Sequence, residues 1–283
     1  MAAVTIGAVA ANFGRDVGRC LSKVERIVAD ARAVGVGLLV LPHATLGGYL
    51  GDMVHPDVRS LPPPLSEGSA ELRRVAHLAR DIVVCLGYTE VAVVDEQALT
   101  YNAAICLSGD GILGRHRKVH QPLGEWRATE AGSCFEAFDT PVGRLGMLID
   151  YAKTFPEAAR CLALDGASAI ACLSAWPASV TDRASRLSQD RQSRLFDIYD
   201  TARAAENQVV WVSSNQTGGM GGLRFLGQAK IVGPGGDIWA RTQGKGGMAV
   251  STIDIEAEVV RSRRMLSHLE ERSPEAYHGL GVP

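Results

Sequence analysis

Short apolar segments alternate with amphipathic helical segments along the chain, and this alternation restricts the fold more than any other feature of the sequence. Val4–Ala10 and Leu38–Leu41 have the aliphatic, β-branched composition of buried strands. Between them, residues 16–34 place apolar side chains at helical spacing, and Gly35 follows as a stop signal. Strands separated by helices in this way predict an α/β fold.

Hairpin signals join this pattern in the rest of the chain. The turn clusters Ser108–Gly111 and Gly233–Gly236 each separate two apolar segments. The further predicted strands are Ile82–Tyr88, Tyr101–Leu107, Ile112–Arg117, Phe135–Phe138, Arg144–Ile149, Ala169–Leu173, Val209–Ser213, Ala229–Val232, Asp237–Ala240 and Ala249–Ile253. The further predicted helices are Ala70–Ala79, Pro156–Leu164 and Gln189–Glu206. About a dozen strands, in hairpins and between helices, predict mixed sheets covered by helices.

The length and charge of the chain limit its organisation and its partners. Its 283 residues contain no repeat, linker or low-complexity segment, so we expect a single domain over residues 1–283. The formal net charge is −2, and the densest basic stretch, Arg261–Arg264, fits a solvated face beside a helix end. We therefore expect neither a nucleic-acid partner nor an anionic membrane surface as a partner.

The compartment is predicted from the N-terminal residues and the cysteines. Met1–Gly7 has strand character and lacks the basic and long apolar regions of a signal peptide. No apolar run approaches the ~18 residues of a membrane span. The six cysteines form no C-x-x-C pair. Reduced thiols in a cytoplasmic protein are the expectation.

Polar residues that could carry chemistry gather in three stretches that follow predicted strands: Leu41–Tyr49, Arg115–Glu125 and Gly146–Glu157. In the third, Asp150 comes at the end of an apolar strand and just before a helix. Partial desolvation of a carboxylate in such a place shifts its pKa and marks a candidate site. The pattern alone favours the alternative, an aspartate that caps the helix or forms an ion pair.

These three stretches, in this order, resemble the nitrilase, or carbon–nitrogen hydrolase, superfamily. That family carries a Glu-Lys-Cys triad: a glutamate in a Leu-Pro-Glu turn, a lysine in an Arg-Lys-x-His segment, and a cysteine before Tyr-Asp-x-x-Phe-Pro-Glu. The resemblance runs from Val4 to the end of the chain. Further matching segments are Thr140–Arg144, Pro156–Arg160, Ala202–Asn207, Ser214–Asn215, Gly222–Phe225 and Val232–Gly236.

The resemblance also identifies departures at the triad. The glutamate position holds His43, the lysine position keeps Lys118, and the cysteine position holds Asp150. A second glutamate that helps to position substrate in the family corresponds to Glu125. A carboxylate is a much weaker nucleophile than a thiolate, and an acyl-aspartate is an anhydride, so we expect no ordinary thiol chemistry. A histidine beside an aspartate can instead act in acid/base chemistry.

Three hypotheses for function follow. The first is a divergent enzyme that acts on a small carbon–nitrogen compound (amide, ureide, nitrile or related), with His43 as acid/base group, Asp150 as orienter or nucleophile, and Lys118 stabilising charge. The second is a non-catalytic homologue that binds a ligand or stabilises a partner. The third is the family's ordinary reaction carried by another residue, for which Cys172 is the nearest thiol.

The matched segments also predict residues around the pocket. The predicted substrate-binding residues are Tyr49, Trp126, Tyr151, Trp176 and Asn215, although core packing explains the aromatic residues as well. His116 and His120 have a spacing that could suggest a metal, but they bracket the family's lysine, and we predict neither a metal nor a cofactor.

The family resemblance implies the architecture. It implies a four-layer α-β-β-α sandwich in which two mixed sheets pack face to face with helices outside. It further implies a homo-oligomer, at least a dimer, in which the C-terminal segment, about residues 266–283, contributes to the interface.

Overall fold

The computed structural model describes residues 3–57, 61–242 and 245–280. The strands in these ranges are β1 (Val4–Ala11), β2 (Val36–Val40), β3 (Val83–Val94), β4 (Gln97–Ser108), β5 (Gly111–Arg117), β6 (Phe138–Thr140), β7 (Gly143–Ile149), β8 (Ala169–Ser174), β9 (Val210–Gln216), β10 (Gly219–Met220), β11 (Leu223–Arg224), β12 (Lys230–Val232), β13 (Ile238–Arg241) and β14 (Gly247–Ile253). The α-helices are α1 (Val17–Ala33), α2 (Ala70–Ala79), α3 (Pro156–Leu164), α4 (Arg191–Asn207) and α5 (Ile255–Arg263).

Twelve of these strands form one large mixed sheet that consists of two halves. In the first half the order is β14-β1-β2-β3-β4-β5, and in the second half it is β13-β12-β9-β8-β7-β6. The halves join where the end of β1 pairs with the end of β9, through Ala10 with Asn215 and Ala11 with Gln216. Strands β10 and β11 form a separate small hairpin.

The two halves pack face to face around a central apolar core. The first half contributes Ile6, Leu38 and Val40 to this core, and the second half contributes Met147 and Ala171. Because side chains alternate along a strand, the residues between them point to the outer faces. The outer face of the first half is covered by α1 and α2, and that of the second half by α3 and α4. The prediction of a four-layer α-β-β-α sandwich is confirmed.

One predicted strand is wrong. The chain from Phe135 to Ala137 is irregular, and β6 begins only at Phe138. The backbone N–H of Ala137 donates to the carboxylate of Asp165 instead of a neighbouring strand, at 2.7 Å. The ring of Phe135 stacks on the ring of His116. The apolar side chain of Phe135 therefore packs against His116 and does not belong to a strand.

The topology brings the carboxyl ends of several strands to one end of the sandwich. Strands β2, β1, β9, β8 and β7 are successive parallel neighbours. Strand β5 has the same direction as β2, because two antiparallel pairings, β3 with β4 and β4 with β5, separate it from the parallel pair β2 and β3. The three polar stretches predicted from the sequence follow β2, β5 and β7, so they lie at the same end.

Candidate active site

His43 is held in a tight turn at the end of β2. The Thr45 hydroxyl donates to the carbonyl of Pro42 at 2.7 Å, and the Gln216 amide donates to the carbonyl of His43 at 2.9 Å. Strand β3 passes so close beneath that a Cβ on Gly87 would lie 2.7 Å from the Cα of His43. These contacts hold the backbone of His43 in place, and its imidazole is buried.

Lys118 and Glu125 form a buried ion pair. Lys118 follows β5, and Glu125 begins a short 3-10 helix, Glu125–Arg127. The Lys118 ammonium lies 2.9 Å and 2.7 Å from the two oxygens of Glu125. Tyr49 donates its hydroxyl to the same carboxylate at 2.9 Å, and the Asn102 amide also donates to it. Burial raises the pKa of Glu125, while the charge of Lys118 opposes this shift.

Asp150 follows β7 and projects its carboxylate between His43 and Lys118. Its φ of 47° lies in the left-handed region, which aspartate tolerates better than most residues. One carboxylate oxygen accepts a hydrogen bond from the backbone N–H of Ala175. The other lies 3.5 Å from the Lys118 ammonium and 3.8 Å from Nε2 of His43. Asp150 thus connects residues from both halves of the sheet.

The His43 ring is neutral at neutral pH. Burial lowers its pKa to about 4, the nearby Asp150 carboxylate opposes the shift, and Lys118 adds to it. Within the described part of the chain, neither ring nitrogen has a hydrogen-bond partner. The ring meets that of Tyr49 edge-on, with centroids 5.3 Å apart. His43 is therefore a weak base, and its Nε2 lies 3.8 Å from the Asp150 carboxylate.

A cavity of about 300 Å³ opens above Asp150 and Lys118. Tyr49, Tyr151 and Trp176 line it, together with Met53, Pro122, Leu123, Ala175, Pro177, Ala178, Ser179, Val180 and Gln192. The Trp176 indole N–H donates to Gln192 at 3.0 Å, which fixes the ring in the wall. His43 and Glu125 are not among the lining residues, so a ligand in this cavity meets Asp150 and Lys118 first.

Most of the predicted site residues come together here. His43, Lys118, Glu125 and Asp150 form one cluster beneath the cavity. The predicted substrate-binding residues Tyr49, Tyr151 and Trp176 line the cavity.

The other two predicted substrate-binding residues lie elsewhere. Trp126 is 61% exposed and carries the guanidinium of Arg127 over its ring rather than lining the cavity. Asn215 is buried and accepts the backbone N–H of Trp176 at 2.8 Å, so it supports the wall from behind.

The two histidines that bracket Lys118 pack against aromatic rings. His116 and His120 both stack on Phe135, and His120 also stacks on Phe155 with centroids 3.8 Å apart. Burial lowers the pKa of His116 to about 4. Among the described residues, no group of three or more His, Cys, Asp and Glu side chains is placed to hold a metal ion.

A second buried ionic cluster supports the wall of the cavity. Lys153 and Lys230 each lie 2.8 Å from one oxygen of the buried Asp200, and the Trp211 indole donates to Asp200 at 2.9 Å. The Lys153 ammonium also lies 5.0 Å from the ring centroid of Trp176. The sequence prediction missed this cluster and Asn102. The one sequence signal for the cluster is Lys153, which stands three residues after Asp150.

No helix in the described ranges combines the length and the apolar character needed to cross a membrane.

Comparison with known proteins identifies the family. Residues 2–265 match the family model for carbon–nitrogen hydrolases. The chain is 32% identical to a probable nitrilase of Schizosaccharomyces pombe over 187 residues, which span 65% of this chain and 64% of that protein. It is 29% identical to a nitrilase of Pyrococcus abyssi over 245 residues, 86% of each protein. The crystal structure of a carbon–nitrogen hydrolase from Helicobacter pylori G27 superimposes with a TM-score of 0.84 at 23% identity, covering 98% of both chains. The chain therefore belongs to the carbon–nitrogen hydrolase family.

Proposed function

We propose that this protein hydrolyses a small carbon–nitrogen compound (an amide, ureide, nitrile or related molecule) by acid/base chemistry without a thiol. The observation that carries the proposal is the pair of charged groups at the floor of the cavity. The carboxylate of Asp150 and the ammonium of Lys118 lie 3.5 Å apart and both face the cavity. Desolvated ionisable groups that converge in a cavity are typical of catalytic sites.

The cysteines support a route without a thiol. None of the six is among the described residues that line the cavity. The nearest predicted substitute, Cys172, is fully buried on β8, and burial raises the pKa of its thiol to about 12. A thiol in this state supplies almost no thiolate at neutral pH, so Cys172 is a packing residue.

In the proposed reaction, a water molecule in the cavity gives a proton to Asp150 and attacks the substrate carbon. The Lys118 ammonium stabilises the negative charge that develops on the substrate oxygen. Glu125 and Tyr49 hold Lys118 in place for this role. Asp150 then passes the proton to the leaving nitrogen. His43 acts through its contact with Asp150, because it does not reach the cavity itself.

A second candidate function is ligand binding without turnover. Two observations favour it: one oxygen of Asp150 already accepts the N–H of Ala175, and the pKa of His43 is lowered to about 4. The lowered pKa makes His43 a weaker base than an exposed histidine, and the N–H of Ala175 already occupies one of the two carboxylate oxygens of Asp150. A homologue that binds a ligand or stabilises a partner protein would retain the same cavity.

A turnover screen by mass spectrometry separates these functions. The protein is incubated with amides, ureides, nitriles and carbamoyl amino acids, in parallel with the variants Lys118→Met and Lys245→Met. We expect conversion by the wild type and by Lys245→Met, whose substitution is on the exposed surface, and loss of conversion in Lys118→Met. Equal conversion by all three proteins would contradict the role of Lys118, and no conversion of any compound would favour the binding function.

The double variant Asp150→Cys with His43→Glu tests the origin of the difference from the family. Because it restores the residues that the family resemblance places at these positions, we expect it to gain thiol-dependent amidase activity that iodoacetamide abolishes. An inactive, folded double variant would show that the site differs by more than these two residues.

A further inference from the structure

The buried cluster carries one negative charge more than positive. Among the described residues, Lys118 is the only cation within ion-pair distance of Glu125 and Asp150. The His43 ring also lies near Asp150, but it is neutral at neutral pH. Two carboxylates therefore share one ammonium. Glu125 lies within 3 Å of Lys118 through both oxygens, whereas Asp150 touches it through a single contact at 3.5 Å. The less neutralised carboxylate is the one that faces the cavity.

The walls above this carboxylate are apolar and aromatic. Tyr49, Tyr151 and Trp176 surround the cavity with aromatic rings. Among the described residues of the wall, the uncharged polar side chains other than the tyrosines and the tryptophan are Ser179 and Gln192, and Gln192 accepts a hydrogen bond from the Trp176 indole. At the floor, Lys118 is paired with Glu125 and the excess negative charge is that of Asp150; with the apolar walls above, this matches a ligand with one cationic end and an apolar body.

The mouth of the cavity extends this apolar surface. Leu123 and Val180 both line the cavity and are 62% and 54% exposed. Exposed apolar side chains at a concave site mark a surface for an apolar ligand group. A molecule whose cation pairs with Asp150 can thus lay its apolar part between Tyr151, Trp176 and Leu123.

We infer that the cavity is built for a primary amine with an apolar body, such as an arylalkylamine, held as its ammonium by Asp150. This inference rests on the proposed function in one respect: the amine is the leaving group of the substrate. The reaction is R–CO–NH–R′ + H₂O → R–COO⁻ + R′–NH₃⁺, in which the apolar group is R′. The carbon–nitrogen bond breaks, water supplies the oxygen of the acid, and the released nitrogen ends as an ammonium beside the Asp150 carboxylate.

The opposite orientation conflicts with the charges of the site. A substrate whose apolar group lies on the acyl side would release an apolar carboxylate next to Asp150. The apolar body in the cavity would then carry the carboxylate, which Asp150 repels, whereas in the first orientation it carries the ammonium, which Asp150 attracts. The site therefore discriminates between an amide and its reversed isomer.

Calorimetric binding of three analogues tests this inference without relying on turnover. 2-Phenylethylamine, 2-phenylethanol and phenylacetate share the apolar body and differ in charge. At pH 7 we expect the amine to bind at least tenfold more tightly than the alcohol, and phenylacetate to bind most weakly. In Asp150→Asn the preference for the amine should disappear, whereas the exposed-site control Asp110→Asn should retain it. Equal affinity for the amine and the alcohol in the wild type would overturn the inference, whatever the variants do.

A matched pair of substrates separates failure of this inference from failure of the proposed function. N-Acetyl-2-phenylethylamine and N-ethyl-2-phenylacetamide are isomers with the amide reversed, and the first should be hydrolysed at least tenfold faster. Preferential hydrolysis of the second isomer would overturn the inference and leave hydrolysis standing. Amine-selective binding with no hydrolysis of either isomer would support the ligand class and contradict the proposed hydrolysis.

Discussion

At the scale of single residues, the site has a carboxylate at position 150 instead of position 43. The family resemblance assigns a glutamate to position 43 and a cysteine to position 150, where this chain has His43 and Asp150. Each pair contains one carboxylate, so the negative charge available to Lys118 in addition to Glu125 is the same. The carboxylate, however, stands at the position that faces the cavity. This relocation changes what a ligand meets while it leaves the buried ion pair intact.

The ion pair itself is sensitive to removal of one partner. In Lys118→Met, the buried carboxylate of Glu125 loses its cation, and we expect the free energy of unfolding to fall by about 3–5 kcal/mol. Adding Glu125→Gln should restore most of this loss, because Tyr49 and Asn102 can still donate to the amide oxygen. Urea denaturation measures both changes. A double variant as unstable as Lys118→Met would contradict this explanation.

His43 gives stability a specific dependence on pH. Its pKa is about 4 in the folded protein and 6.5 ordinarily, so between these values the unfolded chain binds a proton that the folded chain does not. Stability is therefore complete above pH 6.5 and falls as the pH falls towards 4, and the part of this loss due to His43 is about 2 kcal/mol between pH 7 and pH 5. Asp150, Lys118 and Tyr49 are the ionisable groups that face the ring.

The variant His43→Gln isolates this contribution. Its unfolding free energy should fall by about 2 kcal/mol less than that of the wild type between pH 7 and pH 5. His116, whose pKa is also lowered to about 4, affects both proteins equally. The exposed-site variant His77→Gln should retain the wild-type pH dependence. Identical slopes for His43→Gln and the wild type would show that the ring is not held neutral.

At the scale of secondary-structure elements, the contact between β3 and the turn after β2 depends on a glycine. A Cβ on Gly87 would lie 2.6 Å from the backbone nitrogen of Ala44, and a backbone atom cannot move aside cheaply. We expect Gly87→Ala to lower the unfolding free energy by about 1–3 kcal/mol and to weaken ligand binding by displacing His43. Gly68→Ala, where an added Cβ meets nothing within 4 Å, is the matched control. Equal stability of the two variants would refute this reason for a glycine.

The elements differ in how far the sequence could predict them. Helices α2 and α3 match their predicted bounds, because a capping Ser69 and a first-turn Pro156 mark their starts. Strand β3 runs six residues beyond the predicted end at Tyr88. Its extension pairs with the start of β4, where exposed side chains interrupt the apolar pattern. A part of a hairpin whose side chains are exposed is therefore difficult to predict from a hydrophobicity pattern.

The site shows the same division between local and distant information. The motifs around His43, Lys118 and Asp150 could be located because each lies in a short segment with a family pattern. Asn102 and Asp200 could not, since each acts through a partner more than 20 residues away in the sequence. Trp126 lies beside Glu125 in the chain, yet it points outward. Sequence position thus predicts which segment reaches the site better than which side chain enters it.

At the scale of the whole molecule, the site depends on the join between the two halves of the sheet. His43 follows β2 in the first half, and Asp150 follows β7 in the second. The halves meet through the ends of β1 and β9, and Gln216 at the end of β9 donates to the carbonyl of His43. The distance between His43 and Asp150 is therefore set by the packing of both halves rather than by any single loop.

The outer helical layers of the two halves differ in their exposed surfaces, and this difference predicts a homodimer. Leu164 on α3 and Ile198 on α4 are large exposed apolar residues. Met265 is 86% exposed just after α5, and the segment that follows is tied to the end of α4 through Gln208. On α1 and α2, by contrast, no large apolar residue is this exposed within the helix bounds. Exposed apolar side chains on α3, on α4 and after α5 are the basis for proposing an interaction surface there.

We therefore predict that two copies associate through the α3–α4 face, with residues 266–280 contributing; residues 281–283 lie outside the described ranges. Light scattering after gel filtration should give about twice the chain mass of 30.1 kDa. Ile198→Glu combined with Met265→Glu should shift the protein to the monomer mass, because charges replace apolar contacts in the interface. Val93→Glu, on the exposed hairpin of β3 and β4, should remain dimeric. A monomeric wild type would overturn the prediction, and a dimer unaffected by the double substitution would place the interface on another face.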